Sequence, residues 1–271
     1  TSSEWTWVSG SDIVNQVGIY GTKGTASANN IPGARRESVT WKDNAGTLWL
    51  FGGVGTDKAG VSGYLNDLWK YNSATNQWTW VGGGDLVNRI GTIGTKQTPS
   101  ANNIPSSRSR SNSWVDASGN LWVFGGYGLD VNGSYGYLNN LWKYNISTNQ
   151  WTWSNGSEYV NQAGNYGTKG DPLYDINIAG ARQNSASWTD ANGDYWFFGG
   201  QGRDKNGVIG NLNDLWKYNK TNKEWIWVSG SDIVNQNGVY GSMGFAASGN
   251  VPGARTNSVT WTDVSGNLWL Y

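Results

Sequence analysis

Thirteen residues, LWKYNSATNQWTW from Leu68 to Trp80, return almost unchanged from Leu141 to Trp153 and from Leu215 to Trp227. The register extends over the whole chain. Trp7, Trp80, Trp153 and Trp227 are 73, 73 and 74 residues apart, and Arg35, Arg108, Arg182 and Arg255 are 73, 74 and 73 apart. A sequence that repeats itself at such intervals builds copies of one supersecondary unit and buries its core between neighbouring copies.

Each period holds four strand-like runs, a to d. Run a is RESVTW, RSNSW, QNSASW and TNSVTW; run b is LWLFGG, LWVFGG, YWFFGG and a final LWLY. Run c is LNDLWKY, LNNLWKY and LNDLWKY, and run d is EWTW, QWTW, QWTW and EWIW. Alternating aromatic and polar residues bounded by Gly, Asn, Asp and Ser are the pattern of half-buried strands. The a–b and c–d links are of hairpin length, so each repeat is expected to form a four-stranded antiparallel meander.

All nineteen tryptophans fall on repeated positions: four in run a, four in run b, three in run c and eight in run d. A residue type demanded at the same address in every copy is architecture, and indoles that each bury about 150–250 Å² can join sheet to sheet without disulfides. Forty glycines and a single methionine suit short strands and tight turns.

Nineteen basic and nineteen acidic residues cancel, so nucleic acid is not an expected partner. Histidine and cysteine are both absent, which removes thiolate nucleophiles, imidazole bases and the usual ligands of zinc and copper. No metal and no cofactor is expected. No apolar run is long enough to cross a bilayer as a helix, so membrane insertion is not expected. The composition, low in charge and rich in Asn, Gly and Thr, leans toward an extracellular or cell-surface location.

The double glycine closing run b, the LND or LNN leading to Tyr71, Tyr144 and Tyr218, and a Trp seven positions later at Trp78, Trp151 and Trp225 resemble the kelch motif. The resemblance covers essentially the whole chain. It implies an all-β, kelch-type β-propeller of four-stranded antiparallel blades, with run a innermost and run d outermost. The expected organisation is one propeller segment over 1–271: an outer strand of a preceding blade (1–10), blades at 35–83, 108–156 and 182–230, and the first two strands of a further blade (255–271). That is about 3.7 repeats, so the set is expected to be incomplete, continued by further repeats or completed by another chain. Two departures stand out. The periods exceed the usual kelch length of about 50 residues, the surplus lying between runs d and a. Where kelch run a often carries His before its Ser, this chain has Glu37, Arg110, Asn184 and Asn257.

Meander geometry sends the b–c and d–a connections to one face, the expected site of binding. Arg35, Arg108, Arg182 and Arg255 open each a run and are candidates to converge at the channel mouth on a carboxylate, the alternative being bonds to loop carbonyls. Glu37, Arg110, Asn184 and Asn257 vary where the scaffold does not, as a specialised site would. Asp57, Asp130 and Asp204 read as turn residues, since no bidentate Glu follows to complete a calcium loop. Tyr20, Tyr64, Tyr135, Tyr137, Tyr166, Tyr174 and Tyr240 are aromatics suited to a sugar ring or a protein partner.

The expected function is a non-catalytic binding scaffold for a glycan or protein. Two alternatives stand beside it. One is a glycan-processing, sialidase-like enzyme domain using arginines, a tyrosine and Glu37; the other is a structural propeller completed in trans. The copper chemistry of the galactose oxidase propeller, which kelch repeats resemble, is excluded for this segment by the absence of His and Cys.

Overall fold

The computed structural model describes residues 4–172, 177–219 and 221–271; Tyr174 lies outside them. No helix occurs among the described residues. The chain is all-β and built of several antiparallel sheets, an arrangement that fits a β-propeller.

In the first sheet, strands Val39–Lys42, Leu48–Thr56, Ser62–Asn72 and Gln77–Gly82 pair in sequence order, with Arg35–Arg36 beside the far end of the second. The third repeat does the same with Ala186–Thr189, Tyr195–Arg203, Ile209–Asn219 and Glu224–Ser229. The second keeps its four strands, Asn112–Val115, Leu121–Phe124, Leu141–Asn145 and Gln150–Asn155, and separates off a small sheet of Arg108–Ser109, Tyr127–Leu129 and Tyr135–Tyr137. Thr260–Thr262 and Leu268–Leu270 form a last hairpin.

Register explains the sequence pattern. Trp41 stands opposite Trp49, Trp114 opposite Trp122 and Trp188 opposite Trp196, while Trp69, Trp142 and Trp216 face Trp80, Trp153 and Trp227. Aromatic pairs across strands add stability beyond the area they bury. The faces so built close on the next sheet. Val39, Trp41 and Phe51 pack on Leu121, Val123 and Trp151; Trp114, Trp122 and Phe124 pack on Tyr195, Phe197 and Trp225. Trp114 stacks on Tyr195 at 3.7 Å and 7°. Trp41 Nε1 donates to the carbonyl of Trp122, and Trp188 Nε1 to that of Trp269, fixing one sheet against the next. Trp5, Trp7, Trp261 and Trp269, in the first and last segments, are exposed.

The double glycines have a local cause. At Gly125 φ is +64°, and a Cβ there would stand 2.7 Å from the carbonyl oxygen of Arg182 in the following repeat. Gly126 N donates to that same carbonyl at 2.8 Å. Only a residue without a side chain allows this backbone-to-backbone approach.

The long connections are partly ordered by backbone pairing. Each doubles back on itself, with Ile19 bridging Ile31, Thr92 bridging Ile104 and Asn165 bridging Ile178. The first then adds Ala26–Ser27 outside the outer strand that follows, opposite Thr79 and Trp78, and Ser100 bridges Trp151 in the same way. Asn30 and Asn103 side chains donate to the Trp78 and Trp151 carbonyls. Part of the surplus in the first two periods therefore lies along the outer strand. Some of these residues' backbone groups are thus spent on the sheet edge they cover.

Candidate functional site

Where the a runs of consecutive repeats meet, backbone hydrogen bonds pass from one repeat to the next: Arg110 N to Glu37 O (3.0 Å), Asn184 N to Arg110 O (3.1 Å) and Asn257 N to Asn184 O (3.2 Å). These four residues share a left-handed backbone, with φ of 60°, 57°, 55° and 58°. Their side chains line a basin of about 350 Å³, floored by Ser38, Ser111, Ser185 and Ser258. Ser38, Ser111 and Ser185 are held in place, each donating to the first glycine carbonyl of the adjoining b strand.

The charge in the basin is concentrated at one side. Arg110 Nη2 lies 2.7 Å from Glu37 Oε1, with side chains 38% and 25% exposed, and Arg36 Nε stands 3.7 Å from the same oxygen. The hydrogen bond from Arg110 holds the Glu37 carboxyl below the usual glutamate range, and the same bond raises Arg110. Tyr64 and Tyr137 are within electrostatic reach of Arg110, and burial raises both phenols. Tyr64 packs against Tyr127 and Tyr135 with ring centres 5.9 and 5.6 Å apart. Tyr137 donates to Gln201, which also accepts from Gln183. The result is an open, polar recess of serine and asparagine side chains with the Arg110 guanidinium and the ionised Glu37 carboxylate at one side. It can take a carboxylate at Arg110 and move a proton at Glu37.

The arginines opening the a runs are placed differently. Arg182 is wholly buried and grips Asp214 with both Nη atoms at 2.7 Å; Arg35 grips Asp67 at 2.6 and 2.7 Å. Burial alone would lower these guanidiniums, and the facing carboxylates raise them overall. Tyr20 and Tyr166, both 4% exposed, donate to the same Asp67 and Asp214 carboxylates at 2.7 Å. Arg108 is 1% exposed and bonds Ser106, Gly125 and Asn140. Arg35, Arg108, Arg182, Tyr20 and Tyr166 are thus corrected from ligand contacts to the clasp that locks each long connection onto its sheet. Arg255 donates to Gly253 O and, at 3.3 Å, to the exposed Tyr240 hydroxyl, away from the basin lining. The structure therefore gathers Glu37, Arg110, Asn184 and Asn257 in the basin lining, leaves Tyr64 and Tyr137 outside it but within electrostatic reach of Arg110, and disperses the rest.

Sequence reasoning missed Arg36, Tyr127, Gln183 and Gln201. Gln183 and Gln201 stand opposite each other in the third sheet, a register that a short a run and the adjoining b strand could have suggested. The Asp57, Asp130 and Asp204 carboxylates are engaged by loop N–H groups, Ala59, Asn132 and Asn206 among them. A second polar groove, about 310 Å³, includes Asp116 and Trp122; there the carboxylate is consumed by Asn120 and by Trp122 Nε1.

No protein-family model matches the chain. Local similarity to curated proteins is found over 47 residues, 17% of this chain: N-acetylneuraminate epimerase of Shigella flexneri is 43% identical there, and the proteins of that name from Shigella boydii and Escherichia coli K12 are 40% identical. The matched stretch spans 13% of the length of those relatives. Among solved structures, that of YjhT superposes with a TM-score of 0.47 and 18% identity, over 76% of this chain and 55% of its own. The curated relatives carry the name of an enzyme, which overturns the expectation of a non-catalytic binding scaffold and favours the sugar-processing alternative.

Proposed function

We infer that this chain is part of a kelch-type propeller enzyme acting on a sialic acid, interconverting epimers of N-acetylneuraminate, with the Arg110–Glu37 basin as its site. The observation that carries this reading is the partly exposed pair itself: an ionised carboxylate and a guanidinium held together on hydrogen-bonded backbones of consecutive repeats, in a chain locally similar to N-acetylneuraminate epimerases. N-acetylneuraminate is a sugar acid whose carboxylate sits on the anomeric carbon. Bound to Arg110, that carboxylate would compete with Glu37 for the guanidinium. Glu37 then loses the hydrogen bond that keeps its pKa low, and its affinity for a proton rises beside the anomeric centre. Tyr64 and Tyr137 offer apolar ring faces and hydroxyls to the rest of the sugar.

The experiment is to dissolve one crystalline epimer of N-acetylneuraminate and follow its conversion by polarimetry or proton NMR. The protein is expected to accelerate the approach to equilibrium over buffer, Glu37→Gln to abolish most of the acceleration, and Arg110→Ala chiefly to raise KM. A rate equal to that of buffer at high protein concentration would refute the activity; acceleration that persists in both variants would refute the site.

A further inference from the structure

Among the described residues twelve non-glycines have left-handed backbone, and eight of them are asparagine. The four others are Glu37 and Arg110, at the basin, and Gln97 and Lys223, with φ of 61° and 60°. Such backbone is costly for a long side chain and persists where that side chain is needed. Gln97 and Lys223 both line the second polar groove, and Lys223 Nζ donates to Gln97 Oε1 at 3.3 Å although 126 residues separate them. The fold asks for neither. Gly24, Gly170 and Gly244 hold the position of Gln97 in the other repeats, with φ of 81°, 80° and 84°. Gly24 N and Gly170 N donate to the Trp80 and Trp227 carbonyls just as Gln97 N donates to that of Trp153. Asn76 and Asn149 stand where Lys223 does, each accepting from the tyrosine hydroxyl of its own hairpin.

The same groove collects two more departures of the second repeat. Ser154 replaces Val81 and Val228 on the outer strand, and Asn120 replaces Asp194 in the a–b turn. In the third repeat Lys217 pairs with Asp194 at 2.9 Å and lies 3.7 Å from Asp190. Its counterpart Lys143 lies over the Trp122 ring, 5.9 Å from the centroid, and makes no ion pair among the described residues. Thr152 and Ser154 are 5% and 7% exposed, and their hydroxyls have no protein partner among the described residues. Asp116, the carboxylate of the lining, is taken up by the N–H groups of Ser118 and Asn120, the Asn120 amide and Trp122 Nε1. What remains for a ligand is donors: two ammonium groups and two hydroxyls, around about 310 Å³. Two ammonium groups without carboxylate partners match a dianion, and lysines, as point charges, suit a tetrahedral oxyanion, whereas a planar carboxylate is better met by the arginine fork. The volume leaves room for a monosaccharide behind such a group.

We propose that this groove is a second binding site, separate from the basin, that takes a phosphate group, either the free ion or the phosphate of a sugar phosphate. Lys143 and Lys223 balance its charge, and Thr152 and Ser154 donate to its oxygens. Calorimetric titration of the whole chain with inorganic phosphate, glucose 6-phosphate and glucose, at fixed ionic strength, tests it without any turnover. Both phosphates are expected to bind with dissociation constants of about 1 mM or tighter, and glucose not to bind. Tighter binding of glucose 6-phosphate identifies the sugar phosphate as the ligand; equal affinity identifies the free ion. Lys143→Ala should weaken binding about tenfold or more. Ser154→Val and Gln97→Gly restore residues that the other repeats carry, so the fold is kept while binding falls, and the unfolding midpoint of Gln97→Gly should be unchanged or higher. Arg110→Ala, in the basin, should leave phosphate affinity as it was. Absence of binding at about 10 mM of either phosphate, or affinity that persists in both Lys143→Ala and Ser154→Val, would overturn the proposal. So would binding lost in Arg110→Ala, which would place the phosphate in the basin.

Discussion

Removing Asp214 tests how the long connection is fastened to its sheet. Its carboxylate is fully buried and accepts four hydrogen bonds, two from Arg182, one from Tyr166 and one from Trp216, all at 2.7 Å. Asp214→Ala leaves a buried guanidinium without its counter-ion, for which about 3–5 kcal/mol is the usual cost. It also strands the Tyr166 hydroxyl and the Trp216 indole, about 1–3 kcal/mol each when nothing relaxes. These terms overlap, and about 5 kcal/mol is the expected total, a large share of the stability of an ordinary domain. At about 2–4 °C per kcal/mol the midpoint falls by about 10–20 °C. Urea unfolding followed by tryptophan fluorescence measures the loss, and a double-mutant cycle with Tyr166→Phe locates it. Tyr166→Phe alone should cost about 1–2 kcal/mol, and almost nothing once Asp214 is gone. A loss below about 1 kcal/mol for Asp214→Ala, or strictly additive effects in the cycle, would refute the clasp.

Gly125→Ala should cost about 3 kcal/mol or more in urea unfolding, because it adds left-handed strain to a contact with the Arg182 carbonyl that cannot yield; a neutral result would mean the sheets approach less closely. Trp41→Phe removes the indole donor to the Trp122 carbonyl and should lower stability by about 1–2 kcal/mol without altering the basin. Glu37 has a folded pKa below its unfolded value, so its contribution to stability is present above the unfolded pKa and is lost as pH falls through the folded one. Its ionised form should persist under mildly acidic conditions, as carbon-13 titration of the carboxyl will show, and Arg110→Ala should move that titration upward.

Strands and core were legible because the pattern is periodic: the same indole appears at the same address in each copy, and its register partner appears with it. The basin was legible in part, since Glu37, Arg110, Asn184 and Asn257 stood out as the places where copies disagree. The arginines misled because their partners lie 32 residues away, at Asp67 and Asp214, on a strand that reads as pure scaffold. The spacing recurs and could have been noticed. The long connections were illegible for a different reason. Their contacts are made largely through backbone groups, which leave no mark on the sequence, and through Asn30 and Asn103, which recur in register with Asn177 and Asn250 without showing what they bond.

The backbone links at the basin separate shape from chemistry. They run through N–H and C=O groups, so any residue except proline can sit on them, and these bonds survive an exchange of side chains. The twisted geometry is nevertheless not neutral to that choice. Asparagine, as at positions 184 and 257, enters left-handed backbone readily, whereas glutamate and arginine, at 37 and 110, do so at a penalty of about 1 kcal/mol each. Exchanging both charged residues for asparagine should relieve that strain at the cost of the ion pair between the two repeats, and the change in unfolding midpoint measures which of the two weighs more.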